Sequence, residues 1–345
     1  MKLKRIIFLI ISLALLITGY ILYTLYQRTY SPISVPEMKT ECYFYVPTGM
    51  NMNELVKSLN EKGYVSDTAG FRWLAGKKNL ENHLNPGRYL LKEGMNQNQL
   101  VNLIRSGRQQ AVQVVFNSLR RIEDLAGVVS KQIEADSLSI LKLLRDEDFL
   151  SENGWNSKTL PALFIPNTYE FHWNTSAGAF FTRMMKENKI FWEGKRSRKA
   201  KALDLSHVEV STLASIVDEE TYKVDEMPRI AGVYITRLEK GYKLQADPTV
   251  KYAKGDFGMT RVLKKDLNVD SPYNTYKYYG LPPGPIIIPS VKAIDAVLNP
   301  DLSGYLYFCA KEDFSGYHNF AKTLKEHNRN AKKYQNALNQ RKIYR

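Results

Sequence analysis

The chain is 345 residues long and 44% hydrophobic, with 20 glycines, 14 prolines and a formal charge of +14. This composition supports a sizeable core in two or three domains and excludes a collagen-like, low-complexity or wholly disordered chain. Two cysteines, Cys42 and Cys309, exclude a disulfide scaffold and a cysteine-rich zinc module, and five histidines without an H-E-x-x-H spacing argue against a zincin.

Ile6 to Tyr26 is an uncharged run, preceded by Lys2, Lys4 and Arg5 and followed by Arg28. A helix of that length spans roughly 30 Å, the hydrocarbon thickness of a bilayer. The basic flank places the N-terminus in the cytoplasm and the rest of the chain outside it. A cleaved signal peptide would have a shorter apolar region and small residues behind it, whereas this run ends Tyr-Thr-Leu-Tyr-Gln-Arg. A buried core helix would lack the basic flank. Residues 1–30 hold four basic and no acidic residues, so the positive excess belongs mainly to the remainder. Outside a membrane, that excess favours lipid headgroups or cell-wall polymers over nucleic acid. The run Lys195, Arg196, Arg198, Lys199 and Lys201 reads as a solvated helix face.

Residues 31–41 read as a short linker. Two similar segments follow, Gly49-Met50-Asn51-Met52-Asn53-Glu54-Leu55-Val56 and Gly94-Met95-Asn96-Gln97-Asn98-Gln99-Leu100-Val101. Each follows a strand-like stretch (Cys42 to Val46, Arg88 to Leu91) and precedes an amphipathic helix, with Asn53 and Asn98 as candidate caps. With a helix at Ala69 to Ala75 and a turn at Asn85-Pro86-Gly87, the order strand–helix–helix–strand describes a small α+β module. It resembles the LysM-like modules of cell-wall proteins. A generic α+β domain whose repeat is only helix-start chemistry fits the same pattern. A third strand–helix unit covers Val112 to Gln132. Residues 135–200 read as mostly helical, with a loop over Phe164 to Glu170.

Ser206-His207-Val208-Glu209 fits a capping box ahead of a helix running to about Tyr222. At ~100° per residue, Leu213, Ile216, Val217 and Glu220 share one stripe. Glu220 therefore sits on an apolar face, where desolvation disfavours the anion and raises the pKa. That suits a general acid near neutral pH, while an ion pair with Arg229 or Arg237 is the structural alternative. Asp218 and Glu219 flank the stripe. A second helix spans about Glu226 to Lys240, with Pro228 in its first turn and Gly241 behind it. Asp247 in Leu244-Gln245-Ala246-Asp247-Pro248-Thr249-Val250 reads as a turn residue or a second carboxylate. The aromatic, proline-rich residues 271–289 form a stiff loop able to stack on and hydrogen-bond sugars. Ser290 caps a short helix to Leu298, strands cover Tyr305 to Ala310 and His318 to Phe320, and a final helix starts at Thr323. Asp256-Phe257-Gly258 lacks every other kinase motif, and His318 and His327 read as core or surface residues rather than metal ligands.

Several of these strings together resemble the endolytic murein transglycosylase (YceG-like) family. They are Ala214-Ser215-Ile216-Val217-Asp218-Glu219-Glu220-Thr221, Leu244 to Val250, Tyr273-Asn274-Thr275-Tyr276 with Gly280-Leu281-Pro282-Pro283-Gly284-Pro285-Ile286, and Pro166-Asn167-Thr168-Tyr169. Tyr305-Leu306-Tyr307-Phe308, His318-Asn319-Phe320 and Glu326-His327-Asn328 complete the likeness. Two departures stand out: the family's E-K-E-T is Asp218-Glu219-Glu220-Thr221 here, and Ala246 replaces a threonine.

The resemblance implies an α+β protein with an N-terminal transmembrane helix, a small LysM-like α+β module and a larger α+β catalytic domain. The expected boundaries are 1–30 for the cytoplasmic tip and anchor, 31–115 for linker and LysM-like domain, and 116–345 for the transglycosylase domain. It implies Glu220 as catalytic residue, with Gln245, Asp247, Thr249, Tyr273, Asn274, Thr275 and Tyr276 holding the glycan or positioning Glu220. The implied reaction cleaves the MurNAc–GlcNAc bond of peptidoglycan and leaves 1,6-anhydroMurNAc ends, with no metal or other cofactor. Implied partners are nascent glycan strands, the cytoplasmic (inner) membrane and peptidoglycan synthases, and no nucleic acid. A hydrolytic muramidase assisted by Asp247 or Asp218, and a non-catalytic wall-binding scaffold, are the competing functions. Whether Cys42 and Cys309 pair is open at this stage.

Overall fold

A computed structural model describes residues 2–35, 42–259 and 261–341. The first helix, α1 (Lys2–Tyr30), exposes its apolar side chains along its length. Among the described residues it is the one helix long and apolar enough to cross a membrane. The chain then divides into two compact units.

The first unit comprises Met1–Val114, Gln132–Ala135 and Glu170–Ser176. After α1 its elements are β1 (Cys42–Val46), α2 (Met52–Glu61), α3 (Thr68–Lys77), β2 (Gly87–Leu91) and α4 (Gln97–Ser106). β1 and β2 pair antiparallel, Cys42 opposite Leu91 and Val46 opposite Gly87. Phe44, Leu55, Leu59, Phe71, Tyr89, Leu100 and Ile104 fill the core beneath them. The repeated segments are the starts of α2 and α4, but the caps are Asn51 and Asn96 rather than Asn53 and Asn98. The reason is reciprocity. Glu54 and Gln99, three residues on, bond back to the Asn51 and Asn96 backbones and close capping boxes, which the later asparagines could not do. The expected linker also changes character. Ser31 and Ile33 bond to the backbone of Gln97 and Met95, Ser34 bonds to Tyr64, and Ile33 is buried in the core. Residues 36–41, the rest of that linker, lie outside the described residues. Cys42 is a free, buried thiol against the Tyr64 hydroxyl (2.9 Å), and Cys309 is also free.

The second unit comprises Val115–Lys131, Asp136–Tyr169 and Ala177–Arg345. The chain continues through β3 (Val112–Phe116), α5 (Ile122–Val129), α6 (Ser137–Leu144) and α7 (Glu147–Glu152) to β4 (Asn167–Phe171), which pairs with β3. Residues 167–171 are thus a strand where a loop was expected, and the pairing residues lie some 50 positions away in sequence. Next come α8 (Ala177–Trp192), α9 (Lys195–Ala202), α10 (His207–Glu220), α11 (Met227–Glu239), α12 (Asp247–Lys254) and α13 (Val291–Val297). The hairpin β5 (Tyr307–Ala310) and β6 (His318–Ala321) precedes the last helix, α14 (Leu324–Gln340). Asp247-Pro248 opens a helix rather than a turn: proline is tolerated in a first turn, and an acidic side chain there meets the positive end of the helix dipole.

α10 is the central element. Its capping box at Ser206 and Glu209 forms as expected. Every residue from Val210 to Val217 is buried, among α11, α13 and the segment around Ile286. Even its polar residues are internal. Ser211 and Thr212 bond back to carbonyls four residues earlier, and Ser215 accepts the Ile286 N–H. Gly232 in α11 lies against the Asp301 carbonyl, where a Cβ would overlap backbone atoms. Gly232→Ala should therefore destabilise the second unit by about 1–3 kcal/mol despite alanine's better helix propensity, read as a lower urea midpoint.

Candidate functional site

α10 ends at Glu220 because Thr221 takes an extended conformation. The last turn thus emerges from the core into a cavity of about 340 Å³. Glu220, Tyr234, Arg237, Leu244, Gln245, Asp247, Tyr276, Tyr307, Phe308, Leu324 and His327 line it. Glu220 is half-buried, and the Tyr234 hydroxyl donates to its Oε1 (2.6 Å). Burial raises the Glu220 pKa from the ordinary 4.5 to about 7. The Tyr234 hydrogen bond opposes that rise, the Asp247 charge adds to it, and Lys251 and Arg237 pull weakly downward. The ion-pair alternative does not form. Arg237 is held by the carbonyls of Leu306 (2.7 Å) and Leu244 (2.6 Å), and Arg229 pairs with Asp301.

The two neighbouring carboxylates face elsewhere. Asp218 accepts the Ser290 N–H (2.7 Å) and hydroxyl (3.0 Å) at the start of α13. Glu219 receives two hydrogen bonds from Arg120 (2.7 and 2.9 Å). Both are structural anchors, and Arg120 supplies the charge that balances a glutamate at position 219. Asp247, at the start of α12, does reach the cavity, and it accepts the Tyr276 hydroxyl (2.6 Å).

Gln245 and Tyr276 join Glu220 and Asp247 in the cavity wall, whereas Thr249, Tyr273, Asn274 and Thr275 do not. Thr249 and Thr275 are buried and share a hydrogen bond (2.8 Å). The Thr275 hydroxyl accepts the Ala246 N–H, and its carbonyl accepts the Gln245 N–H. Asn274 is fully buried and donates to the carbonyls of Leu267 and Val269. Tyr273 packs its ring on Tyr252 at 4.6 Å. These polar residues tie the loop 271–278 to the 244–249 segment and so set Gln245, Asp247 and Tyr276 at the cavity. Gln245 has φ +53, a left-handed conformation that this double tether maintains in a non-glycine residue.

Sequence reasoning did not select Tyr234, Arg237, Tyr307, Phe308, Leu324 or His327 as site residues. Tyr234 and Arg237 carry a readable signal, polar groups three residues apart on one face of a helix and both buried. The others come from β5 and α14, whose approach to α10 depends on long-range packing. The His327 ring stacks on Tyr307 (5.4 Å), and burial lowers its pKa, favouring the neutral imidazole.

A half-buried carboxyl titrating near neutrality can give a proton and take one back. Because the folded pKa lies above the unfolded one, the proton stabilises the fold. That contribution is complete below about pH 4.5 and is lost as pH rises through about 7. Glu220→Gln keeps the shape and the Tyr234 hydrogen bond but removes the charge. It should therefore stabilise the protein at pH 8 by on the order of 1–3 kcal/mol and leave it unchanged at pH 4, read by thermal unfolding at both values.

The sequence profile of the YceG-like family matches residues 44–333. The endolytic murein transglycosylase of Bacillus subtilis is 31% identical over 321 residues, covering 88% of both chains. The protein of the same name from Streptococcus pneumoniae R6 is 27% identical over 328 residues, covering 85% of this chain and 58% of that one. Among solved structures, a putative YceG-like protein from Listeria monocytogenes superposes with a TM-score of 0.54 at 30% identity, over 84% of this chain and 99% of that one. With a profile match over most of its length and these relatives, the chain belongs to the YceG-like family.

Proposed function

We propose that this protein is a membrane-anchored endolytic lytic transglycosylase of peptidoglycan, with Glu220 as its catalytic residue. The observation that carries the reading is one carboxyl group, poised near neutrality by burial, facing a cavity at the end of a helix that is buried from Val210 to Val217. The names borne by its relatives support the substrate class.

The chemistry follows from a single group used twice. Protonated Glu220 donates to the oxygen joining N-acetylmuramic acid to N-acetylglucosamine, and the bond to the muramyl anomeric carbon breaks. The carboxylate then accepts the proton of the muramyl C6 hydroxyl as that oxygen closes on the anomeric carbon. The product carries a 1,6-anhydro end, and Glu220 regains its starting state. Water is not consumed, so the second carboxylate that a hydrolase needs to activate it has no required part. Gln245, Asp247 and Tyr276 hold the glycan or orient Glu220, while Thr249, Tyr273, Asn274 and Thr275 act through the loops they tether.

In this reading α1 is the anchor, its basic end is cytoplasmic, and the catalytic unit works outside the inner membrane on nascent strands beside their synthases. The strand–helix–helix–strand region is a LysM-like glycan-gripping module. Residues 1–30, 31–115 and 116–345 are the anchor, the linker with module, and the catalytic domain.

Asp247 in the same cavity favours one second reading, a muramidase in which that carboxylate assists a water molecule. The products decide between the two. Mass spectrometry of peptidoglycan fragments should find internal cuts with anhydromuramyl ends from the wild type, and a loss of at least about 10²–10⁴-fold in Glu220→Gln. Reducing-end sugars would establish the muramidase instead. Because the first step needs the protonated acid, kcat/KM should fall as pH rises through about 7, and a profile flat to pH 9 would rule out Glu220 as the acid.

A further inference from the structure

Tyr234 is fully buried, and among the described residues its hydroxyl has one hydrogen-bond partner, Glu220 Oε1 at 2.6 Å. A phenol carries a single hydrogen. Donated to Oε1, that hydrogen makes the two carboxyl oxygens unequal. In the protonated acid, the oxygen that accepts the phenol is the carbonyl oxygen, and the acid hydrogen sits on the other one. Oε2 has no hydrogen-bond partner among the described residues, while Glu220 itself lines the cavity.

We propose that Tyr234 is the positioning residue of the reaction, pinning Glu220 through Oε1 and so assigning to Oε2 both the delivery of the proton and its return. The inference deepens the transglycosylase reading and rests on it. Oε2 gives its proton to the glycosidic oxygen as the bond to the anomeric carbon breaks. It receives the proton of the C6 hydroxyl as the new carbon–oxygen bond forms. The tyrosine hydrogen stays with Tyr234 throughout, because burial and the adjacent carboxylate hold that phenol far from ionising.

The surroundings fix this arrangement. Tyr234 sits in the middle of α11, and its ring meets Phe308 edge-on at 5.9 Å. Phe308 in turn packs on Phe320 and His318 across the β5–β6 hairpin. Glu226, at the head of α11, accepts both the His318 N–H (2.9 Å) and its Nδ1–H (2.8 Å), tying hairpin to helix. Tyr234 is therefore held both by packing on the hairpin and by its bond to Oε1. Other groups around Glu220 are committed or do not bond to it. Tyr276 donates to Asp247, Arg237 is held by backbone carbonyls, Lys251 acts only through its charge, and Tyr307 and His327 stack on each other.

A structural role alone would be felt as lost stability. The positioning role has a second signature, because a donor on the carboxylate lowers the Glu220 pKa. Wild type, Glu220→Gln and Tyr234→Phe are compared on purified glycan strands across pH, with thermal unfolding of each. Tyr234→Phe should lower kcat by about 100-fold with KM nearly unchanged, and should move the alkaline limb to higher pH. Replacement of Tyr234 by 3-fluorotyrosine, a stronger donor of the same shape, should move the limb the other way. Independently of turnover, difference infrared spectroscopy should find the carboxyl band absent from Glu220→Gln, with its titration midpoint raised in Tyr234→Phe. A Tyr234→Phe enzyme with wild-type kcat and limb would overturn the positioning role while leaving Glu220 in place. A wild type that cuts no glycan would overturn the underlying reading, and this inference with it. Should Tyr234→Phe fail to fold, the fluorotyrosine protein decides, and an unmoved limb and carboxyl band there count against the proposal.

Discussion

A carboxyl group held half out of water, at the end of a helix buried on all sides, is the constraint on which the second unit depends. Burial pushes Glu220 toward the neutral acid. Folding a carboxylate into that position at neutral pH costs free energy that the surrounding contacts must offset. The Tyr234 hydroxyl offsets part of it by donating to Oε1. The result is a group that is neither a locked acid nor a solvated anion, the condition for a proton to leave and come back.

Much of the remaining polar structure keeps that geometry in place without touching it. Asp218 fastens the end of α10 to the start of α13, and Glu219 fastens it to Arg120. Thr249, Thr275 and Asn274 lock two loops together so that Gln245 keeps its left-handed backbone and Asp247 its place at the head of α12. Polar side chains are costly to bury unless each finds a partner, so such a network specifies one arrangement and resists others.

The first unit illustrates the same economy of means. One local device, an asparagine capping box with a side chain returning from three residues later, starts both α2 and α4. The residues that leave α1 return at once to the module: Ile33 enters its core, and Ser31, Ile33 and Ser34 share backbone hydrogen bonds with it. Ser31 to Ser34, beside the apolar helix, are thus part of a folded domain.

Local chemistry accounts for what was legible in the sequence. Capping boxes, helix lengths, the apolar span and the placement of Glu220 on a buried stripe depend on neighbours within four residues, which the sequence displays directly. The order of motifs from Ala214 to Asn328 likewise carried the family. What the sequence could not display were partners remote along the chain. β4 read as a loop because its pairing strand is β3. Tyr234 went unselected because the carboxylate it bonds is 14 positions away on another helix. For Thr249, Asn274 and Thr275 the sequence left open whether they hold a glycan or position Glu220, because a polar residue in a motif looks the same whether it faces a ligand or a backbone carbonyl. The sequence by itself determined which helix carries the poised carboxyl. Tertiary packing alone decided which oxygen is pinned and which side chains reach the cavity, because desolvation and hydrogen-bond direction are set by the atoms that surround a group in space.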